Sequence, residues 1–132
     1  MHETTIRVRS TQVDQLGHLN NAAFLEIFEW ARWEWAEEGG GGFSDMMSGQ
    51  GLGPVVVRVE VDFRREVRFH DRLRIQTRLE SCDRRKGVIL QHMIREDGQQ
   101  AAEARFTFVI IDLAARKVVP MPEEVLELAR QA

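Results

Sequence analysis

The chain has 132 residues, 43% hydrophobic and 30% charged, which suits one domain over residues 1–132 and leaves no room for a second of ordinary size. Its 18 Lys and Arg against 21 Asp and Glu give a formal charge of −3, opposite to the basic footprint of a nucleic-acid binder, so no nucleic acid is expected as a partner. The single Cys82 excludes an intramolecular disulfide framework, and no apolar run approaches the length of a signal peptide or membrane helix. A soluble, cytoplasmic protein with no membrane partner is the expectation.

In chain order, Ile6 and Val8 mark a first strand over residues 5–10. Residues 21–38 read as a helix, because Phe24, Ile27, Phe28, Ala31 and Trp35 recur at three- and four-residue steps, the spacing of one helical face. Leu25, Trp30 and Trp33 widen that face and leave Glu26, Glu29, Arg32 and Glu37 as a polar seam, so the helix needs a concave enclosure. Asn20 or Asn21 can cap it. With Asn20 as the cap, Leu19 and Phe24 stand at the two ends of a hydrophobic staple. Residues 39–53, GGGGFSDMMSGQGLG, hold seven of the ten glycines and are expected to form a structureless lid, binding loop or connector. They lack a following Gly-Lys-Ser/Thr and lead into a strand rather than a helix, which excludes the nucleotide-binding glycine fingerprints.

Beyond this stretch the period becomes two. Val57, Val59, Val61 and Phe63 alternate with Arg58, Glu60 and Asp62, and Leu73, Ile75 and Leu79 alternate with Arg74, Gln76 and Arg78, as in half-buried strands. Residues 87–95 and 101–112 continue the pattern, with Asp97-Gly98 as the hairpin turn between them. Pro122, Glu123 and Glu124 open a short terminal helix carrying Val125, Leu126 and Leu128. A strand, a long apolar helix, four antiparallel strands and a terminal helix make an α+β chain in which a curved sheet wraps one helix. That is the hot-dog fold. A ferredoxin-like split fold needs a second full helix between strands, and no periodic segment of 54–119 supplies one.

Directly before the helix, Val13-Asp14-Gln15-Leu16-Gly17-His18-Leu19-Asn20-Asn21 gathers a carboxylate, an imidazole and two amides. A helix N-terminus offers unpaired N–H groups and partial positive charge, so it can hold a developing oxyanion while a nearby carboxylate activates water or attacks directly. Gly17 lets the backbone approach a ligand or adopt positive φ. Asp, Gly and Asn are also the ordinary residues of turns and caps.

The D-x-x-G-H-x-N-N pattern of residues 14–21, with the upstream RVRSTQVD and the helix AFLEIFEWARWEW, resembles the hot-dog acyl-thioester hydrolases related to 4-hydroxybenzoyl-CoA thioesterase. The resemblance implies that Asp14 is a general base or nucleophile and that Asn21, through its backbone N–H, holds the oxyanion position. His18 and Glu66 match one branch. Plant acyl-ACP thioesterases, which share the fold, carry D-x-N-x-H-x-N-N followed on a strand by Y-R-R-E-C; this chain has Asp14, Leu16, His18 and then Phe63-Arg64-Arg65-Glu66-Val67, with Leu16 for Asn and Val67 for Cys. From the residues alone, Glu66 is a strand-end carboxylate among Arg64, Arg65 and Arg68, and His18 a hydrogen-bonding loop residue. In other hot-dog thioesterases the carboxylate is a Glu of the central helix, a position Glu26 or Glu29 could fill.

Asp83-Arg84-Arg85-Lys86-Gly87 puts three cations on a turn between strands. A solvated hairpin is one reading; the other is contact with the phosphates of coenzyme A, because the segment resembles the basic R-R-K turn that receives the nucleotide in the 4-hydroxybenzoyl-CoA group. His2, His18, His70 and His92 lack zinc-ligand spacing, so neither a metal nor a cofactor is expected, coenzyme A entering as part of the substrate. No nucleophile elbow frames any serine. Two functions follow: hydrolysis of an acyl-CoA thioester, or a non-catalytic module binding acyl-CoA or acyl carrier protein. Trp30, Trp33, Phe43, Met46 and Met47 are candidates for the acyl pocket. A sheet around one helix leaves edges open, so a homodimer with joined sheets, or a homotetramer built from it, is expected.

Overall fold

The computed structural model describes residues 2–38 and 43–131. Its elements are β1 (His2–Arg7), α1 (Asn21–Glu37), α2 (Phe43–Gly49), β2 (Leu52–Phe63), β3 (Arg72–Cys82), β4 (Gly87–Arg95), β5 (Gln100–Asp112), β6 (Lys117–Val119) and α3 (Glu123–Gln131). The strands form one antiparallel sheet in the order β1-β3-β4-β5-β2. β6 joins β5 at Ile110, Ile111 and Asp112, past Phe108 where β4 begins its pairing. This is the hot-dog architecture, an antiparallel sheet packed around α1.

The apolar period of α1 does what the spacing implies. Ile27, Phe28 and Ala31 are fully buried, and with Phe24 they pack against Leu73, Ile75, Met93 and Phe106 of the sheet. Ala101, Ala102 and Ala104 of β5 belong to the same cluster, and their short side chains leave room for the aromatic rings of the helix. A second cluster joins Trp35 at the tail of α1 to Phe43, Met46, Leu79, Phe108 and Val125.

The structure corrects the sequence reading in four places. The first strand ends at Arg7, and Ser10–Gln12 form a 3-10 turn instead, because the chain leaves β3 once Arg7 has paired with Arg72. Of the glycine-rich stretch, residues 39–42 lie outside the described residues, but Phe43–Gly49 are helical and Leu52 and Gly53 already belong to β2. Phe43 and Met46, three residues apart, are both 2% exposed, so tertiary burial outweighs the helix-breaking composition around them. Finally, the alternation in β2 buries its inward face only in part: Val61 packs against the core and Phe63 touches the Phe24 ring, but Val55, Val56, Val57, Val59 and Phe63 are all exposed. β2 is the last strand of the sheet and has a register shift between Val56 and Arg58. The enclosure of α1 is likewise incomplete, since Leu25, Trp30 and Trp33 remain exposed.

Candidate active site

The head of α1 is fixed by short-range bonds written in residues 12–20. Asn20 has extended backbone and its Oδ1 accepts from Ala23 N at 2.8 Å, the expected N-cap. Asn20 N donates to the Gln12 carbonyl at 3.0 Å, and Leu19 N donates to the Val67 carbonyl. Between these anchors the chain makes a tight turn. Asp14 N donates to the His18 carbonyl at 2.8 Å, Gly17 N donates to the Asp14 carbonyl at 3.0 Å, and Gly17 has φ of +79°, a conformation that favours glycine. Asp14 Oδ1 accepts from Leu16 N at 2.9 Å and from His18 N at 3.2 Å. Two N–H bonds therefore hold one carboxylate oxygen in place, while Oδ2 accepts from no group among the described residues.

The same turn carries His18 to Glu66, 48 positions further along the chain. His18 Nε2 lies 2.8 Å from Glu66 Oε2, and Glu66 Oε1 accepts from Arg68 Nη2 at 2.7 Å. Arg95 Nη1 donates to the Glu66 carbonyl at 3.0 Å. The Arg68 guanidinium, through its hydrogen bond first and its charge second, with His18 and Arg95 adding smaller attractions, holds the Glu66 carboxyl below its ordinary 4.5. The two departures from the plant pattern occupy opposite environments: Leu16 is 78% exposed and Val67 is completely buried.

A groove of about 520 Å³ runs along α1 from Ala22 to Ala36, walled by Trp33, Phe43, Val56, Phe106 and Phe108. Trp33 and Phe43, two of the candidates for an acyl pocket, line this groove. Trp30 instead borders a separate cleft with Arg7, Phe69 and His70, Met46 is core, and the Met47 side chain lies outside the described ones. The groove's lining begins one residue beyond Asn21. Asp14 and His18 are not among its lining residues in the single chain, whereas Glu26 and Glu29 are. Arg32 also lines it, a cation the sequence reading left in the polar seam of α1; burial lowers its guanidinium to about 10. Cys82 is no competing nucleophile, since burial first and the Asp83 charge second push its thiol up to about 11.

The basic turn is well ordered by Asp83, whose Oδ1 accepts from Arg85 N at 2.7 Å and Lys86 N at 2.9 Å. Within one chain it does not meet the Asp14 turn. β3 begins at Arg72, beside the segment that pairs with His18, and ends at Cys82, so Arg84, Arg85 and Lys86 lie roughly 33 Å away along the strand.

The model of the thioesterase-like superfamily matches residues 8–128. Over 130 residues the chain is 33% identical to the long-chain acyl-CoA thioesterase FadM of Escherichia coli K12, covering 98% of this chain and 97% of that protein. The crystal structure of YbaW, a probable thioesterase from Escherichia coli, superposes with a TM-score of 0.86 at 33% identity, covering 98% of this chain and 96% of that one. A hypothetical Staphylococcus aureus protein solved in complex with CoA shares the fold, with a TM-score of 0.85 at 16% identity over 98% of this chain and 81% of that one. Among the described residues no helix is long and apolar enough to cross a membrane.

The depressed carboxyl of Glu66 has a signed consequence. Its contribution to stability is complete above the ordinary 4.5 and is lost as pH falls through the lower folded value. An NMR titration of side-chain carboxyls is expected to place the Glu66 midpoint below 4.5, and Arg68→Ala to move it upward. A wild-type midpoint at or above 4.5 contradicts the arrangement.

Proposed function

The chain belongs to the thioesterase-like superfamily, and from that premise we propose that it is an acyl-CoA thioesterase whose reaction takes place at the head of α1. The observation that carries the reading is the Asp14 carboxylate, with Oδ1 tied to Leu16 N and His18 N and Oδ2 open. The Asn20 cap occupies Ala23 N and the Asn20 carbonyl accepts from Phe24 N. The N–H groups of Asn21 and Ala22 are therefore the donors left for a developing oxyanion. Asp14 either removes a proton from the attacking water or attacks the thioester carbon itself. In the second case the C–S bond breaks, CoA leaves as a thiolate, and water then hydrolyses the mixed anhydride. His18, held through Nε2 by Glu66, would return a proton to that thiolate, and Arg68 keeps Glu66 ionised in that role. Gly17 keeps the backbone of the turn clear for the incoming thioester.

A second reading within the same reaction rests on the groove, which Glu26 and Glu29 line and Asp14 does not; one of these helix carboxylates would then be the base. A non-catalytic module holding acyl-CoA or acyl carrier protein is the alternative of a different class. The assembly we propose is a homodimer, alone or paired into a homotetramer, joined through the twelve-residue open edge of β2. Its exposed valines, together with Leu25 and Trp33, would find cover there. Antiparallel joining of two β2 edges places the second copy's basic turn at the end of the sheet where this chain has Asp14. Arg84, Arg85 and Lys86 would thus serve the neighbouring site by holding the phosphates of coenzyme A.

Asp14→Asn keeps size and most hydrogen bonding, so the variant is expected to fold. Its thiol release from acyl-CoA is expected to fall on the order of 10²–10⁴-fold, the loss typical of a missing general base. A folded Asp14→Asn protein within a few-fold of wild type contradicts the assignment and moves it to Glu26 or Glu29, while a wild type that releases no thiol from any acyl-CoA or acyl carrier protein leaves the binding module. Replacing Arg84, Arg85 and Lys86 with Ala should raise KM more than it lowers kcat, less so in high salt. Equal loss toward a short pantetheine thioester, which lacks the nucleotide, removes the phosphate role. Light scattering at micromolar concentration should find a dimer or tetramer; a stable monomer contradicts the joined sheet.

A further inference from the structure

The proposed hydrolysis makes no use of one group in the wall of the groove. The Arg32 guanidinium sits 3.8 Å from the centre of the Phe106 ring, and its Nη1 donates to Gln91 Oε1 at 3.1 Å. Gln91 is wholly buried and is held from behind, its Nε2 donating to the Phe28 carbonyl and to Thr77 Oγ1, each at 3.0 Å. A chain of polar groups thus crosses the core and ends at a single cation. Among the described residues no carboxylate is within ion-pair distance of that cation; Glu29, three residues back on α1, acts on it only through space.

Such an arrangement is costly, because a half-buried cation without a counter-charge gives up part of its hydration, which one neutral hydrogen bond does not replace. Burial already weakens its hold on its proton. Among the described residues Gln91 is the one hydrogen-bond partner of the guanidinium, which leaves most of its N–H donors free, and apart from Glu26 and Glu29 the groove around it is walled largely by apolar side chains such as Trp33, Phe43, Val56 and Phe108. A plain hydrocarbon chain in this groove would bury the cation further and give it nothing. An oxygen would satisfy it.

Position says where that oxygen belongs. Arg32 follows Asn21 by eleven residues, about 16 Å along the helix axis, and the groove runs from Ala22 past Arg32 to Ala36. An acyl group with its carbonyl at the head of α1 and its chain in the groove reaches Arg32 only far down the chain. We propose that Arg32, backed by Gln91, is a specificity residue that binds an oxygen at the far end of a medium-length acyl chain, so that the protein prefers ω-oxygenated acyl thioesters to plain ones of equal length. This rests on the reading of α1's head as the hydrolytic site. A hydroxyl and a carboxylate offer the same acceptor chemistry; Glu26 and Glu29, which also line the groove, repel the second more than the first.

The test compares dodecanoyl-CoA, ω-hydroxydodecanoyl-CoA and the mono-CoA thioester of dodecanedioic acid by thiol release. For the wild type, kcat/KM of at least one oxygenated substrate should exceed that of dodecanoyl-CoA by roughly ten- to a hundredfold, the range of a hydrogen bond to a charged group. In Arg32→Met, which keeps an unbranched apolar stem over Phe106, that ratio should fall to near one, and Arg32→Lys should retain part of it. Binding of the three substrates as analogues in which a methylene replaces the thioester sulfur, followed through tryptophan fluorescence, reads the groove without any hydrolysis. Tighter binding of an oxygenated analogue by a wild type that releases no thiol supports Arg32 and rejects the hydrolytic reading. Equal or better binding and turnover of the plain chain by the wild type overturns the proposal, whether or not the variants fold. So does an unchanged preference in Arg32→Met accompanied by loss of the dimer, which would place the guanidinium at the subunit contact.

Discussion

The packing of Ile27, Phe28 and Ala31 against the sheet is the contact on which the rest of the molecule depends. All three are fully buried, and burying a large aliphatic or aromatic side chain contributes about 1.5–3 kcal/mol. This seam sets the axis and rotation of α1 together. Once it is fixed, the head of the helix lies beside the 66–71 segment, bound through Leu19 N and the Val67 carbonyl, and its tail lies against α2 through Trp35 and Phe43. The short alanines of β5 are the counterpart of the rings on α1.

Using one face of α1 for the core leaves another beside β2. Leu25, Glu29 and Trp33 line the groove with Val56 and Val59, and among the described residues the same strand has no neighbour on its outer edge. The space suited to an acyl chain and the surface suited to a second copy are thus side by side. The polar groups divide by depth. Asp14 and Glu66 are exposed and His18 is half-buried at the helix head, where short bonds hold them; Arg32 lies half-buried in the groove wall and bonds inward to Gln91, which is wholly buried.

What the sequence made legible was whatever repeats at a fixed period or sits at a helix end. The α1 face, the Asn20 cap, the hairpin at Asp97-Gly98 and the Asp14 turn all carry local signals. α2 does not, because the three-residue step from Phe43 to Met46 is too short a pattern to outweigh seven nearby glycines. The alternation of β2 reports which side chains share a face, not whether anything covers that face, so the exposure of Val57 and Val59 could not be read from it. The meeting of His18 with Glu66 needed the fold, since residues 64–71 must cross to the head of α1 before the two can touch. The separation of the basic turn from Asp14 was within reach, because the length of β3 was readable and its two ends cannot both adjoin one turn. Arg32 carried only a faint signal, a lone cation in the seam of an otherwise apolar helix.

The placement of the reaction at the head of α1 is tested most directly by a crystal structure of Asp14→Asn with an acyl-CoA analogue in which a methylene replaces the thioester sulfur. The analogue's carbonyl oxygen is predicted within hydrogen-bond distance of Asn21 N or Ala22 N, beside Asn at position 14, with the chain along α1 between Trp33 and Phe106. An analogue seated in the cleft of Trp30 and Phe69, or with its carbonyl remote from the start of α1, would contradict the account.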